Sequence, residues 1–202
     1  IGGVAESWDI SGDGLTYTFH LRENAKWADG QKITADDFVY AWRRAVDPLT
    51  AADYAYQYEP VLNAMDINAG KKPLESLGVK AIDENTLEVK LATPTAYFIE
   101  LAAFPTFYPI RKDIIEKYGN GWTLSPDSYL GNGPFILTER RTEDRLVMEK
   151  NTNYWNADAV IPQKLVFVLM QNETAAMAGI KGGTIHFANN PPLPDIETLQ
   201  NE

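Results

Sequence analysis

Apolar and polar residues alternate in two stretches of the first half of the chain. The stretch LTYTFHL at 15–21 has an apolar residue at every second position, and GVKAIDENTLEVKL at 78–91 alternates after the polar residues Asp83, Glu84 and Asn85. Successive side chains of a strand point to opposite faces, so a period of two indicates a half-buried strand. We therefore predict a strand at 15–21 and a β-hairpin at 78–91 that turns at the three polar residues.

The spacing of apolar residues becomes helical between Thr34 and Pro48. Thr34 can cap a helix here, with Asp37 three residues later as its capping-box partner. Pro48 cannot continue the helix, because its ring removes a backbone donor. The predicted apolar face consists of Phe38, Trp42 and Ala45, with Val39 beside them.

The charged residues of this region raise the question of a catalytic site. Asp36 and Asp37 are adjacent, so on a helix their side chains point about 100° apart and cannot serve one substrate atom. Acidic residues in the first turn, and Arg43 and Arg44 in the last, complement the helix dipole. Asp29 belongs to the turn sequence WADGQ. These residues therefore predict a turn and a well-terminated helix, not a paired-carboxylate site.

The second half of the chain predicts further helices and strands. Two short helices are predicted at 96–104 and 111–119, and the second ends at a glycine that can form its C-cap. The stretch KLVFVLM at 164–170 is almost continuously apolar, which is typical of a strand covered on both faces. A helix at 172–183 and a final strand at 184–190 would complete a crossover unit. Two other strand candidates are 133–140 and 144–151.

This pattern predicts a mixed α/β (α+β) fold. The composition of the sequence shifts between residues 111 and 125. We therefore predict a domain boundary there, between regions 1–112 and 113–202. The chain begins with Ile1 inside IGGVAESW, and we expect it to be a fragment of a longer protein. No stretch approaches the ~18 apolar residues of a membrane-spanning helix.

Composition removes several classes of function. The chain of 202 residues has a formal net charge of −10, which repels a nucleic-acid backbone, so no nucleic-acid partner is expected. It contains no cysteine, which excludes disulfides, thiolate catalysis and cysteine-ligated zinc. The stretch DISGDG resembles the start of a calcium loop, but His20 stands where that loop needs a bidentate glutamate. No cofactor and no metal are expected.

Candidate catalytic residues are few. His20 and His186 both lie in strand-like patterns and have no partner motif, so we interpret them as hydrogen-bonded or solvent-facing strand residues. We expect no enzyme, although a hydrolase acting on peptides or glycans is kept as the alternative from another class.

Three tyrosines, Tyr54, Tyr56 and Tyr58, occupy alternate positions. In an extended segment they would share one side and could form the wall of a ligand site. Ordinary packing of a loop explains them equally well, since an aromatic ring with a polar tip suits both a cleft and a core edge. Both readings stay open at this point.

Several stretches, taken in order, resemble a known family. They are YTFHLRENAKWADGQKITADDFVYAWRRAVDP at 17–48, GKKPLESLGVKAIDENTLEVKL at 70–91, TPTAYF at 93–98, GNGPFIL at 131–137 and EKNTNYWN at 149–156. Together they are similar to the extracytoplasmic solute-binding proteins of peptide ABC transporters, and most similar to the oligopeptide-binding proteins.

The resemblance implies a two-lobed periplasmic-binding-protein fold of class II type with an extra domain. Residues 1–112 would form that extra domain, and residues 113–202 part of the first ligand-binding lobe. In the family, a peptide lies extended between two lobes, hydrogen-bonded like an added strand, and undergoes no chemistry.

The implied partners are an oligopeptide ligand and a membrane permease, and the implied state is a monomer. The implied location is extracytoplasmic, in a periplasm or at the cell surface as a lipoprotein. Relatives specialised for dipeptides, nickel complexes or cell-wall peptides are the alternative within this class.

The resemblance also implies a small set of ligand contacts. Tyr54 matches a tyrosine that lines the peptide cleft. Asn189 and Asn190 match a Tyr-Asn pair in the first lobe, with asparagine in place of the tyrosine at position 189. Most of the pocket would belong to the other lobe, so we expect these 202 residues alone to bind peptide weakly or not at all.

Overall fold

The computed structural model describes residues 2–189, 191–193 and 196–199. Its first sheet is antiparallel and has the strand order β1-β2-β4-β3. These strands are β1 (Ala5–Ile10), β2 (Thr16–Leu21), β3 (Val79–Asp83) and β4 (Thr86–Lys90). The predicted strand at 15–21 and the predicted hairpin at 78–91 are therefore confirmed. The hairpin turns where Asn85 donates its N–H to the Asp83 carboxylate at 2.8 Å.

Helix α1 (Ala35–Val46) covers one face of this sheet, as its apolar period predicts. The Thr34 N–H donates to Asp37 Oδ2 at 2.9 Å, which confirms Asp37 as the capping partner. Val39, Trp42 and Val46 are buried from this helix. Opposite them in the same core lie Tyr17, Phe19 and Leu21, which are the apolar positions of β2.

Short helices follow α1 and precede the second sheet in the chain. They are α2 (Ala64–Asn68), α3 (Phe98–Ala102) and α4 (Lys112–Tyr118). The last two confirm the helices predicted at 96–104 and 111–119. Gly119 follows α4 as its C-cap with a φ of +54°, a value that favours glycine. One turn of 3₁₀ helix, Ala55–Tyr58, precedes α2.

The second sheet is also antiparallel, with the order β5-β6-β7. Its strands are β5 (Phe135–Arg141), β6 (Arg145–Lys150) and β7 (Lys164–Val168), which confirms all three strand candidates of the second half. Helices α5 (Glu173–Lys181) and α6 (Ile196–Leu199) follow.

Two predictions about the second sheet are wrong. Val166, Phe167 and Val168 are 51, 49 and 48% exposed, so β7 is not covered on both faces. An apolar run makes burial favourable, but the cover must come from other segments. Residues 184–189 form no strand, and β7 pairs antiparallel with β6, so the predicted crossover unit is absent from the described residues.

A tight turn at residues 27–31 connects the first sheet region to the second. The Ala28 N–H donates to the Gly131 carbonyl at 2.9 Å, and the Asn153 side chain donates to the Ala28 carbonyl at 3.0 Å. Nearby, the Arg22 guanidinium lies 4.0 Å from the centre of the Trp155 ring. The boundary between 1–112 and 113–202 stays a prediction.

Candidate ligand-binding surface

The three alternating tyrosines do not lie on one side of an extended segment. Residues Ala55–Tyr58 form a 3₁₀ turn, and Tyr54 is the residue that precedes it. This turn distributes positions 54, 56 and 58 around its axis instead of aligning them. Tyr54 and Tyr56 are 49 and 59% exposed, whereas Tyr58 is buried.

Tyr58 belongs to the core and is excluded from any ligand contact. Its hydroxyl donates to the Thr106 carbonyl at 2.6 Å, and its ring lies 4.3 Å from that of Phe107, centre to centre. Burial raises the pKa of this phenol far above its ordinary value. The packing interpretation therefore holds for Tyr58.

The other two tyrosines form an exposed aromatic cluster with Phe104. The Tyr54 ring centre lies 5.2 Å from that of Phe104 and 6.0 Å from that of Tyr56, at tilted angles. Phe104 itself is partly buried and packs against the main core. We refer to Tyr54, Tyr56 and Phe104 as the aromatic cluster. It combines apolar ring faces with two phenol groups, a mixture suited to contact with an amphipathic ligand.

The remaining predicted contacts lie elsewhere in the chain. Asn189 is exposed in the segment that follows α5. Within the described residues, no hydrogen bond or ring contact joins it to Tyr54. Asn190 lies outside the described residues.

A cavity of about 610 Å³ lies next to the first sheet and is lined by residues from both halves of the chain. Among the described residues, Glu100 is the single charged side chain in its wall. Eight of the lining residues are aromatic, including Trp8, Phe38, Trp42, Tyr108, Tyr154 and Trp155. No sequence pattern predicts this cavity, because its walls come from segments that are far apart in the chain.

A second feature that the sequence pattern does not reveal is the ion cluster around Arg111. This guanidinium is 9% exposed and donates to both Asp113 oxygens, at 2.7 and 2.6 Å. It also donates to Asp29 at 3.0 Å. Its hydrogen bonds hold the pKa of Asp113 below the ordinary value, and the same bonds raise the pKa of Arg111. Asp29 also accepts from Gln31 N–H, so its predicted turn role is confirmed but incomplete.

The two histidines of the chain are both accessible to solvent. His20 lies in β2 and contacts Asp9 at 2.7 Å, with both side chains open to solvent. His186 is exposed and lies outside the strands, so its interpretation as a strand residue is wrong. The described part of the chain contains no group of three or more side chains able to hold a metal ion. None of its helices is long and apolar enough to cross a bilayer.

Comparison with known proteins gives one consistent family. The model of the bacterial extracellular solute-binding proteins, family 5, middle region, matches residues 1–202. The chain is 41% identical over 203 aligned positions to the periplasmic oligopeptide-binding protein OppA of Escherichia coli K12. The alignment covers 99% of this chain and 37% of that relative, so the chain spans a little over a third of its length.

Solved structures agree with this assignment. The Escherichia coli murein tripeptide-binding protein MppA superposes with a TM-score of 0.94 at 38% identity, over all of this chain and 40% of that one. Listeria monocytogenes OppA, solved with a bound peptide, superposes with a TM-score of 0.87 at 42% identity, over 92% of this chain and 36% of that one. These superpositions confirm the mixed α/β, periplasmic-binding-protein type of fold.

Proposed function

This chain belongs to the bacterial extracellular solute-binding proteins of family 5, and from that membership we propose that it serves in the capture of oligopeptides outside the cytoplasmic membrane. The peptide would be held extended between two lobes and passed to the permease of an ABC transporter. Residues 1–112 would form the extra domain, and residues 113–202 part of the first lobe.

The structural observation that supports this proposal is the exposed ring of Tyr54. The family resemblance assigns this position to the wall of the peptide cleft, and the ring is 49% exposed instead of packed into the core. Asn189 is exposed as well and is proposed as a second contact, with Asn190 beside it. Backbone hydrogen bonding of the strand-addition kind would tolerate many peptide sequences.

We propose no chemical step. A general base must lie within hydrogen-bond reach of a substrate proton. The exposed His20–Asp9 pair on the first sheet lies outside the wall of the 610 Å³ cavity. Measurable turnover of peptides or glycans by the full-length gene product would favour the hydrolase alternative.

A cell-wall peptide is the second candidate ligand. The similarity to the murein tripeptide-binding protein favours it, since that superposition covers the whole of this chain. A murein tripeptide and a linear tripeptide of natural residues differ in their stereochemistry and charge. Competition between the two on the full-length gene product would therefore separate the candidates.

Calorimetric titration with mixed tri- to pentapeptides tests the proposal. We expect the full-length gene product to bind them. The 202 residues alone are expected to bind far more weakly, because much of the cleft would come from the other lobe. Micromolar binding by the 202 residues would contradict the assignment of most contacts to that lobe, and the absence of binding by the full-length protein would contradict peptide capture itself.

For the full-length gene product we further propose an extracytoplasmic location, either free in a periplasm or attached to the membrane as a lipoprotein, and a monomeric state. Fractionation of cells that produce the full-length protein would test the location. A cytoplasmic signal would contradict it.

A further inference from the structure

We propose that Phe104 is a positioning residue for Tyr54, and that the aromatic cluster selects an aromatic or aliphatic side chain of the bound peptide. This inference rests on the proposed function, because it concerns the ligand contact assigned to Tyr54. It adds two residues, Phe104 and Tyr56, and a preference for one class of side chain.

Phe104 is suited to a supporting role because it is fixed from several directions. Its N–H donates to the Leu101 carbonyl at 2.9 Å, and its own carbonyl accepts from Phe107 N–H at 3.0 Å. Pro105 follows it and restricts its backbone to extended values. Part of its ring packs against the main core. A ring held in this way is a rigid support at the protein surface.

Tyr54 depends on this support because it has few other contacts. Within the described residues, its hydroxyl makes no hydrogen bond, and its ring contacts are those with Phe104 at 5.2 Å and Tyr56 at 6.0 Å. Its backbone is held by one turn bond, from Gln57 N–H to its carbonyl at 3.0 Å. The direction of the Tyr54 ring is therefore set mainly by two aromatic neighbours.

The chemistry of the cluster favours an apolar ligand side chain. Ring faces attract other rings and aliphatic groups, and both tyrosine hydroxyls can remain in water. A cationic side chain is the competing class, since a ring face also attracts cations and Asp53 adjoins Tyr54 in the chain. The experiment must therefore include both classes.

Two substitutions at Phe104 separate positioning from folding. Phe104→Leu keeps apolar bulk toward the core and removes the ring, whereas Phe104→Tyr retains the ring. Tyr97→Ala is the matched control, because Tyr97 is 59% exposed and has no ring contact within the described residues. A fluorine atom on the Tyr54 ring reports its surroundings by NMR without any peptide. We expect Phe104→Leu to move the resonance and Phe104→Tyr and Tyr97→Ala to leave it nearly in place.

Peptide selectivity is then measured on the full-length gene product with trialanine peptides that carry Phe, Ser or Arg at one position at a time. We expect wild type to prefer Phe at one position, and Phe104→Leu and Tyr56→Ala to reduce that preference by about three- to tenfold, the range of one aromatic pair. Phe104→Tyr, which keeps the ring, should retain the wild-type preference for Phe. Tyr97→Ala should leave it unchanged.

The outcomes distinguish this inference from the proposed function. If wild type binds none of the peptides, peptide capture is wrong, and the assigned selectivity is overturned with it. If peptides bind but the variants at 104 and 97 behave alike, the positioning role is overturned and capture stands. A stronger preference for Arg than for Phe overturns the apolar selectivity. An unmoved fluorine resonance in Phe104→Leu overturns the support of Tyr54, whether or not peptide binds.

Discussion

Arg111 holds together a cluster of two ion pairs, one with Asp29 and one with Asp113. It is nearly buried and binds two carboxylates, so its removal leaves Asp29 and Asp113 without their cation. Asp29 and Asp113 are 35 and 60% exposed, so water can solvate them once the cation is gone. The cost of removing Arg111 is therefore the loss of its hydrogen bonds to charged groups, which are stronger than bonds between neutral groups.

We predict that Arg111→Met lowers the free energy of unfolding by about 1–3 kcal/mol. Chemical denaturation of the 202 residues measures it. Lys112→Met is the matched control, because Lys112 pairs with Glu116 at 3.6 Å with both side chains about two-thirds exposed. Such a surface pair contributes about 0–1 kcal/mol. Equal losses in the two variants would show that burial of Arg111 is unimportant.

Asp37 is expected to make the free energy of unfolding fall as the pH rises, whereas most carboxyl groups of a folded protein act in the opposite direction. Burial raises its pKa in the folded chain, although hydrogen bonds from Thr34 and Trp27 act in the opposite direction. The folded state therefore holds this proton more tightly than the unfolded state. Its contribution to stability is greatest below the unfolded pKa and is lost as pH rises through the folded pKa.

We predict that wild type loses stability relative to Asp37→Asn as the pH rises from 3 to 7. Unfolding free energies measured across that range test the slope. Asp36→Asn changes one charge on the exposed side of the same turn and supplies the reference. If the wild type instead gains stability relative to Asp37→Asn as the pH rises, hydrogen bonding outweighs burial at this carboxyl.

At the residue scale, the sequence predicts contacts between residues that are only a few positions apart. Asp37 accepts the N–H of the N-cap residue Thr34, three positions before it, and Asp29 accepts the N–H of Gln31, two positions after it. The sequence does not predict the bond from Asp29 to Arg111, because these residues are 82 positions apart and no local pattern joins them.

At the scale of elements, β7 carries the main departure from prediction. Its apolar side chains remain about half exposed, and Leu169 and Met170 continue the exposed run. An exposed apolar strand at a sheet edge is a template for association with another chain.

We predict that the 202 residues associate in a concentration-dependent way and that Phe167→Lys reduces this association. Sedimentation velocity at several concentrations measures it. Leu49→Lys is the control, because Leu49 is 93% exposed and lies outside every strand. If both lysine variants reduce association equally, net charge explains the effect and the β7 surface does not.

Strands and helices were predictable where their period is local, as in β2, the β3–β4 hairpin and α1. The 3₁₀ turn at Ala55–Tyr58 was not, because alternate tyrosines are equally compatible with an extended segment and a tight turn. The cover of β7 was not predictable either, since burial depends on which other segments pack on a strand. The same limit applies to the candidate site: the role of Tyr54 as a ligand contact stays a prediction from the family resemblance, and its ring contact with Phe104, 50 positions away, has no local pattern that could predict it.

At the scale of the whole molecule, the turn at 27–31 holds the two sheet regions in contact. Asn153 contributes one side-chain bond, to the Ala28 carbonyl. We predict that Asn153→Ala costs about 1 kcal/mol of unfolding free energy. It should also increase hydrogen exchange at Ala28 N–H, which donates to Gly131.

Asn156→Ala provides the comparison, since Asn156 is exposed and its side chain makes no hydrogen bond within the described residues. Hydrogen exchange with mass spectrometry, together with denaturation, measures both effects. A stable Asn153→Ala variant with unchanged exchange would show that this contact does not hold the two regions together.

The same turn has a consequence for synthesis on the ribosome. Its bond to Asn153 spans 125 positions, and the nearby bond from Asn24 to the Trp155 carbonyl spans 131. At translation rates of roughly 5–20 residues per second, the partners of this turn emerge about 6–25 s after it does. By contrast, helix α1 packs on β3, about 40 positions later, and β3 pairs with β4 directly after it, so their partners are synthesised sooner. The nascent chain is therefore expected to hold its first sheet region without this partner for an interval in which chaperones can bind the uncovered surface.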